Sequence, residues 1–187
     1  APYSVYAIQD VSNPDHPAVD TDVILEGLVV TAVNGGTSAG QNVYVQSPDG
    51  GPFSAIMLYS TTPATTGAAT LVPGDIVNAT GRYIEYYDFS EIQLTSVTKT
   101  GTGTVPAPLD VAAATIATGD SAEAYESVLV RVSTVAVTTA PDTHGQFEVT
   151  DGLMVDDGLF AITPAPVVGD SFATLAGVLA YNFERYK

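Results

Sequence analysis

Four landmarks in the first half of this chain return in the second at near-constant spacing. A chain built twice on one plan of short strands has few architectures open to it. Glu26-Gly27-Leu28-Val29-Val30 is echoed by Glu126-Ser127-Val128-Leu129-Val130. Val43-Tyr44-Val45-Gln46 with Asp49-Gly50 is echoed by Phe147-Glu148-Val149-Thr150 with Asp151-Gly152. Val72-Pro73-Gly74-Asp75 returns as Val167-Val168-Gly169-Asp170, each followed within eight residues by a glycine, Gly81 and Gly177. The aromatic run Tyr86-Tyr87-Asp88-Phe89 has its counterpart in Tyr181-Asn182-Phe183. Offsets of 100, 104, 95 and 96 residues imply a duplicated module, one copy in residues 1–103 and the other in 104–187.

Within the first half the strand signals are regular. Val23 to Val33 is the first strong strand, and Gly27 inside it permits the bend a barrel strand needs. Gln41 to Gln46 alternates, with Val43 and Val45 directed to one face and Asn42, Tyr44 and Gln46 to the other. The Pro48-Asp49-Gly50-Gly51 turn precedes Ala55 to Tyr59. A link from Ser60 to Thr70, too rich in Thr, Pro and Gly to hold a good helix, leads to Gly74-Asp75 and a strand over Ile76 to Ile84. Glu91 to Thr98 makes the fifth. Thr100 to Gly103 and Pro106-Ala107-Pro108 form a linker. Beyond it, Asp110 is placed to cap a short alanine-rich helix over Val111 to Thr118, stopped by Gly119.

Five strands in a unit this small, the first long and bent at glycine, match the OB-fold, a partly open Greek-key barrel. Two immunoglobulin-like sandwiches would want about seven strands each and a core Trp; the chain has no Trp. The expectation is an all-β chain of two tandem five-stranded OB-fold-like Greek-key barrels.

Charge limits the partners. Ten acids face two bases up to residue 103 and eleven face three beyond it, so each half carries −8 of the total −16. A protein that contacts about 6–10 phosphates needs a comparable number of cations, and this chain has five. Such a surface stays soluble in salty media and repels polyanions. With no cysteine, neither disulfides nor thiolate metal sites are available. No stretch approaches the ~18–20 apolar residues that span a bilayer. Ala1-Pro2-Tyr3-Ser4 has neither a basic start nor an apolar run and reads as a processed end.

The Glu26-Gly27 strand, Val43 to Gln46 ending in Asp49-Gly50, Pro73-Gly74-Asp75 and Gly81 to Tyr86 together resemble the tandem OB-fold modules of secreted bacterial proteins. Tyr125-Glu126, Leu129-Val130-Arg131-Val132 and Gly169-Asp170 take those parts in the second copy. Such modules are often found beside extracellular nuclease or metallophosphatase-like domains. The resemblance implies an extracellular or cell-surface, bacterial binding or accessory unit. The nuclease-type domain has no counterpart in these residues. The second module also stops soon after Tyr186, which leaves its last strand missing or supplied from elsewhere.

Catalytic signatures are few. His16 and His144 lie in turn-rich loops and read as solvated. No Gly-x-Ser-x-Gly elbow, phosphate loop or dinucleotide fingerprint occurs. The reading is not an enzyme. Asp15, Asp20 and Asp22, and Asp151, Asp156 and Asp157, are clustered carboxylates of a kind that suits calcium. Neither set has EF-hand spacing, Asp-Gly pairs are ordinary hairpin turns, and no cofactor is expected.

Binding is the remaining class. Tyr44, Gln46, Tyr83, Glu85, Tyr86, Tyr87 and Phe89 would form a platform on the barrel face and on the loop joining the fourth and fifth strands. Its aromatic faces stack on sugars or bases while its amides and carboxylates meet hydroxyls. Tyr181, Phe183 and Tyr186 are the matching aromatics of the second half. A protein surface or polysaccharide is the expected partner, with no membrane insertion. The alternatives are a nucleic-acid-binding accessory of a secreted nuclease, possible through a bridging metal, and a structural spacer.

Overall fold

The computed structural model describes residues 1–35 and 40–187. The five expected strands of the first half form at β1 (Asp22–Gly35), β2 (Gln41–Gln46), β3 (Ala55–Ser60), β4 (Asp75–Glu85) and β5 (Ser90–Thr102). They close into a barrel in the order β1-β2-β3-β5-β4, with β4 returning to β1. All pairs are antiparallel except β3 with β5. This is the arrangement of an OB-fold. The curvature comes from breaks in register: β1 shifts against β4 between Leu25 and Leu28, where Gly27 sits at φ +70°. There a left-handed residue costs glycine nothing. Alternate side chains point inward, so Val23, Leu25, Val30, Val43, Val45, Ile56, Leu58 and Ile92 make the barrel core.

Short helical turns plug the barrel. In α1 (Val5–Gln9) Val5 and Ile8 join the core. The link between β3 and β4 does hold a four-residue helix, α2 (Pro63–Thr66). Pro63 suits the first turn, where its missing N–H is not needed, and Gly67 ends the helix at φ +91°.

The second half is built from β6 (Leu109–Asp110), α3 (Ala113–Ala117), α4 (Asp120–Glu123), β7 (Leu129–Ala136), β8 (Phe147–Glu148), β9 (Met154–Val155), β10 (Ser171–Val178), β11 (Tyr181–Asn182) and β12 (Arg185–Tyr186). These give a sheet in the order β10-β7-β6 and two hairpins, β8-β9 and β11-β12. Among the described residues there is one closed barrel, not two. In the barrel β4 lies between β1 and β5, whereas β10 pairs with β7 alone. The helix of this half is also shorter than expected and begins after Ala112. Asp110 does not cap it, because both its carboxylate oxygens are taken by Arg131, at 2.6 and 2.8 Å.

The duplication survives in the backbone, with one landmark out of register. Gly74 N–H donates to Val30 O at 2.8 Å, and Gly169 N–H donates to Val137 O at 3.0 Å. These equivalent bonds set Val30 against Val137. By the same offset Gly27 falls on Thr134, which is also left-handed at φ +56°. Gly81 opposite Val23 and Gly177 opposite Val130 agree with that register. The echo of Glu26-Gly27 in Glu126-Ser127 is therefore not structural: both precede β7, and Glu126 is bonded to Ser90 of the barrel.

Candidate binding site

The outer face of β2 and β3 is covered by the second half. Tyr44, Met57 and Phe89 from the barrel pack with Val178, and Leu129, Ala180 and Tyr181 flank them. Burial on both faces explains why β2, alternating in sequence, keeps only Asn42 partly exposed. Polar groups fasten the seam. Gln46 Oε1 accepts the Leu129 backbone N–H at 3.1 Å while its amide donates to Ser54 Oγ at 3.1 Å. Ala124 O accepts the Phe53 N–H at 2.6 Å. Glu126 Oε1 accepts the Ser90 N–H at 2.9 Å.

The seven candidate residues are thereby divided. Tyr44 is 6% exposed, Gln46 1% and Phe89 6%, and all three face the seam rather than solvent. Tyr83 is 1% exposed within the barrel core. Its hydroxyl donates to Glu85, which also accepts the Ser90 hydroxyl at 2.5 Å. Burial raises the Tyr83 and Tyr44 hydroxyls well above the ordinary phenol range, Tyr44 to about 12, so both stay protonated. His16 is not simply solvated: its ring is half-buried, edge-on to Tyr83 at 5.6 Å, with Nδ1 3.2 Å from Ala7 O.

Tyr86 and Tyr87 remain in solvent. They lie at the β4–β5 turn, where Tyr86 and Phe89 exchange both backbone hydrogen bonds, at 2.9 and 3.2 Å. Tyr87 and Asp88 form a two-residue loop at φ +52° and +62°, the type I′ form that hairpin twist favours and that usually calls for Asn-Gly. The Tyr87 ring is 79% exposed and meets Tyr86 edge-to-face at 4.8 Å. An aromatic held left-handed in open solvent is strained without a packing reason, a pattern associated with functional sites.

The second half repeats this tip. Asn182 pairs with Arg185 around Phe183 and Glu184, at φ +51° and +60°, and Phe183 is 90% exposed. Its offset from Tyr87 is the 96 residues already seen for the glycines. Both tips border one open cleft of about 290 Å³, lined by Asp88, Thr118, Glu123, Glu184, Arg185 and Tyr186. The Tyr186 hydroxyl donates to Glu123 at 2.6 Å. The carboxylates along its walls suit hydrogen bonds to hydroxyls and contact with cations, and the exposed residues Tyr87 and Phe183, each next in the chain to a lining residue, offer rings that stack on sugars. The ammonium of Lys187 already lies 5.9 Å from the Phe183 ring centre.

Two buried carboxyls at the seam had no sequence signal, because nothing local foretells the burial of an acid. Glu126 has one oxygen without a partner. Burial, with Glu123 nearby, raises its pKa to about 9. Glu91 is raised to about 7 by burial and by Glu85. Every Lys and Arg, in contrast, is committed to an acid: Arg82 to Asp22, Lys99 to Asp75, Arg131 to Asp110, Arg185 to Glu148 and Lys187 to Asp156. Among the described residues no three His, Asp or Glu side chains are grouped to hold a metal. Among the described residues no helix is long and apolar enough to cross a membrane.

No protein-family model matches the chain, and no curated protein matches its sequence. Among solved structures it is similar to the asparaginyl-tRNA synthetase of Pyrococcus horikoshii, at 12% identity and a TM-score of 0.36 over 46% of this chain. That match spans 21% of the synthetase. It is also similar to a small single-stranded DNA-binding protein from Streptomyces coelicolor, at 12% identity and a TM-score of 0.35, over 44% of this chain and 94% of that one. A third likeness is to an OBody bound to hen egg-white lysozyme, at 21% identity and a TM-score of 0.36, over 45% of this chain and 83% of that one.

Proposed function

We propose that this chain is a non-catalytic extracellular binding module that engages a protein surface or a polysaccharide through its paired hairpin tips. The observation that carries the reading is the duplicated tip, Tyr87-Asp88 and Phe183-Glu184, which twice holds an exposed aromatic in a left-handed turn beside one cleft. Rigid aromatics on a tight hairpin offer contact area at little entropic cost. The committed state of all five cations supports a partner other than a polyphosphate.

The test compares the parent with a Tyr86→Ala/Tyr87→Ala variant and with Phe183→Ala on an array of polysaccharides. Fluorescence anisotropy with labelled single-stranded DNA runs alongside, at ~50 and ~200 mM salt, with and without calcium. The expected result is retention of the parent on particular glycans, loss in both variants, and no change in anisotropy. DNA binding that weakens steeply with salt, or that needs metal, would replace this reading with a nucleic-acid accessory role.

A further inference from the structure

The duplicated plan gives each surface of one half a counterpart in the other, and the seam joins two surfaces whose counterparts are both open. On the first half the seam is the outer face carrying Tyr44, Met57 and Phe89. Tyr44 lies on β2 opposite Met57, between the core residues Val43 and Val45. Glu148 lies on β8 opposite Met154, between the core residues Phe147 and Val149. Phe89 closes one hairpin tip as Arg185 closes the other. The counterparts of Tyr44, Met57 and Phe89 are therefore Glu148, Met154 and Arg185.

On the second half the seam is formed by Leu129 and Val178, a cross-strand pair one step beyond Val130 and Gly177. One step beyond Val23 and Gly81, the first half has the cross-strand pair Asp22 and Arg82. The backbone beside them also corresponds. Asp20 N–H donates to Tyr83 O at 2.8 Å and Ser127 N–H to Leu179 O at 2.7 Å, and both residues are left-handed. Glu126, buried at the seam, thus stands where the first half has Val19, which is 50% exposed. In both open counterparts an ion pair replaces the apolar contact. Arg82 Nε is 3.5 Å from an Asp22 oxygen, and Arg185 donates to Glu148 at 2.5 Å. Stacking one copy on the next through these faces would bury Asp22, Arg82, Glu148 and Arg185 where the seam buries Leu129, Val178, Tyr44 and Phe89. Stripping water from such charges costs more than their attraction commonly returns.

We propose that Asp22–Arg82 and Glu148–Arg185 determine the specificity of docking: they confine it to the one contact between the two halves and bar another copy of the chain from stacking on either outward face. The seam is a heterologous contact, one surface of the module against a different one, and such a contact repeats into open chains unless something stops it. Polar outer faces on end repeats serve that purpose in other stacked-module proteins. The buried core of the barrel is drawn from residues between Val5 and Val97 alone, so the second half docks on a first half whose core is already complete.

The two methionines of the chain, Met57 at the seam and Met154 on its open counterpart, let NMR of labelled methionine methyls read the two faces separately. Leu129→Asp with Val178→Arg carries the ion pair into the seam. The Met57 methyl should then lose its signal to a soluble paramagnetic agent, while amide protection in β1 to β5 is kept. The reverse exchange opens the outward faces. One variant carries Asp22→Leu with Arg82→Val, and the other Glu148→Tyr with Arg185→Phe. Short linkers hold their ends at an effective concentration of about millimolar, so a seam that stays closed within the chain should also form between molecules at ~1 mM. Mixed at that concentration, the two variants should sediment as a one-to-one complex with the Met154 methyl protected, while the parent stays monomeric. Absence of a complex in the mixture would overturn the proposal. So would a parent that stacks with its Met154 protected, or a Met57 that stays protected once the ion pair is in the seam.

Discussion

The Ser90 backbone N–H donates to one oxygen of Glu126 at 2.9 Å, and the other oxygen of that carboxyl meets no donor. This bond joins the start of β5 to the turn before β7 and places at the seam a buried acid whose burial favours the neutral form. The folded pKa of about 9 lies above the ordinary 4.5, and Glu91, raised to about 7, acts in the same sense. The folded state then holds protons that the unfolded chain releases. The contribution is fully present below pH ~4.5 and is lost as pH rises towards 7 for Glu91 and 9 for Glu126. Stability measured by urea unfolding should fall between pH 5 and 9. Glu126→Gln should flatten this slope and, near pH 8, exceed the parent by more than about 1 kcal/mol. A parent that grows more stable over that range would contradict the burial.

The tips carry a cost that sequence replacement can expose. Tyr87→Asn with Asp88→Gly supplies the residues a type I′ turn prefers and should raise stability by about 0.5–1 kcal/mol. The same change should remove binding to any partner engaged by the Tyr87 ring. Thermal melts and a binding assay on one preparation check both halves of the statement.

Gly81 and Gly177 make a matched pair. Gly81→Ala drives a methyl into Gln93 O and Ile92 and should destabilise by about 1–3 kcal/mol, whereas Gly177→Ala should be nearly silent. Denaturant midpoints of the two variants are the measurement. Equal losses would mean that something already lies against β10.

Ser127 is left-handed at φ +63°, and its buried hydroxyl has no partner. Ser127→Gly relieves the backbone and removes an unsatisfied polar group, and should stabilise by about 1–2 kcal/mol. Equilibrium unfolding checks it.

Much of the barrel was legible because its signals are local. Val43 and Val45 alternate with polar neighbours, Gly27 marks the bend in β1, and Gly74-Asp75 opens β4. The tip at Tyr86-Tyr87 could be read as exposed because a two-residue turn has no core to enter. The helix after the linker forms within its expected span, at Ala113–Ala117, but without the expected cap, since Asp110 has a competing use: it pairs with Arg131, twenty-one residues on. The repeat at Glu126-Ser127 was misassigned because two short Glu-small-apolar runs look alike, while the true match of Gly27 is Thr134, which shares only a backbone conformation.

The sequence by itself determined where the five strands of the barrel lie, the bend in the first of them, the duplicated plan and the charge that limits its partners, since each follows from periodicity, turn chemistry or composition over a few residues. Tertiary structure decided which surfaces are left. Tyr44, Gln46 and Phe89 carry the same side chains whether solvent or Val178 and Leu129 lie over them, and only the docking of one half on the other withdraws them from use. The same docking buries Glu126, and the incomplete pairing of β10 leaves Gly177 beside open space. Burial is a property of distant segments meeting, and no local pattern of residues records it.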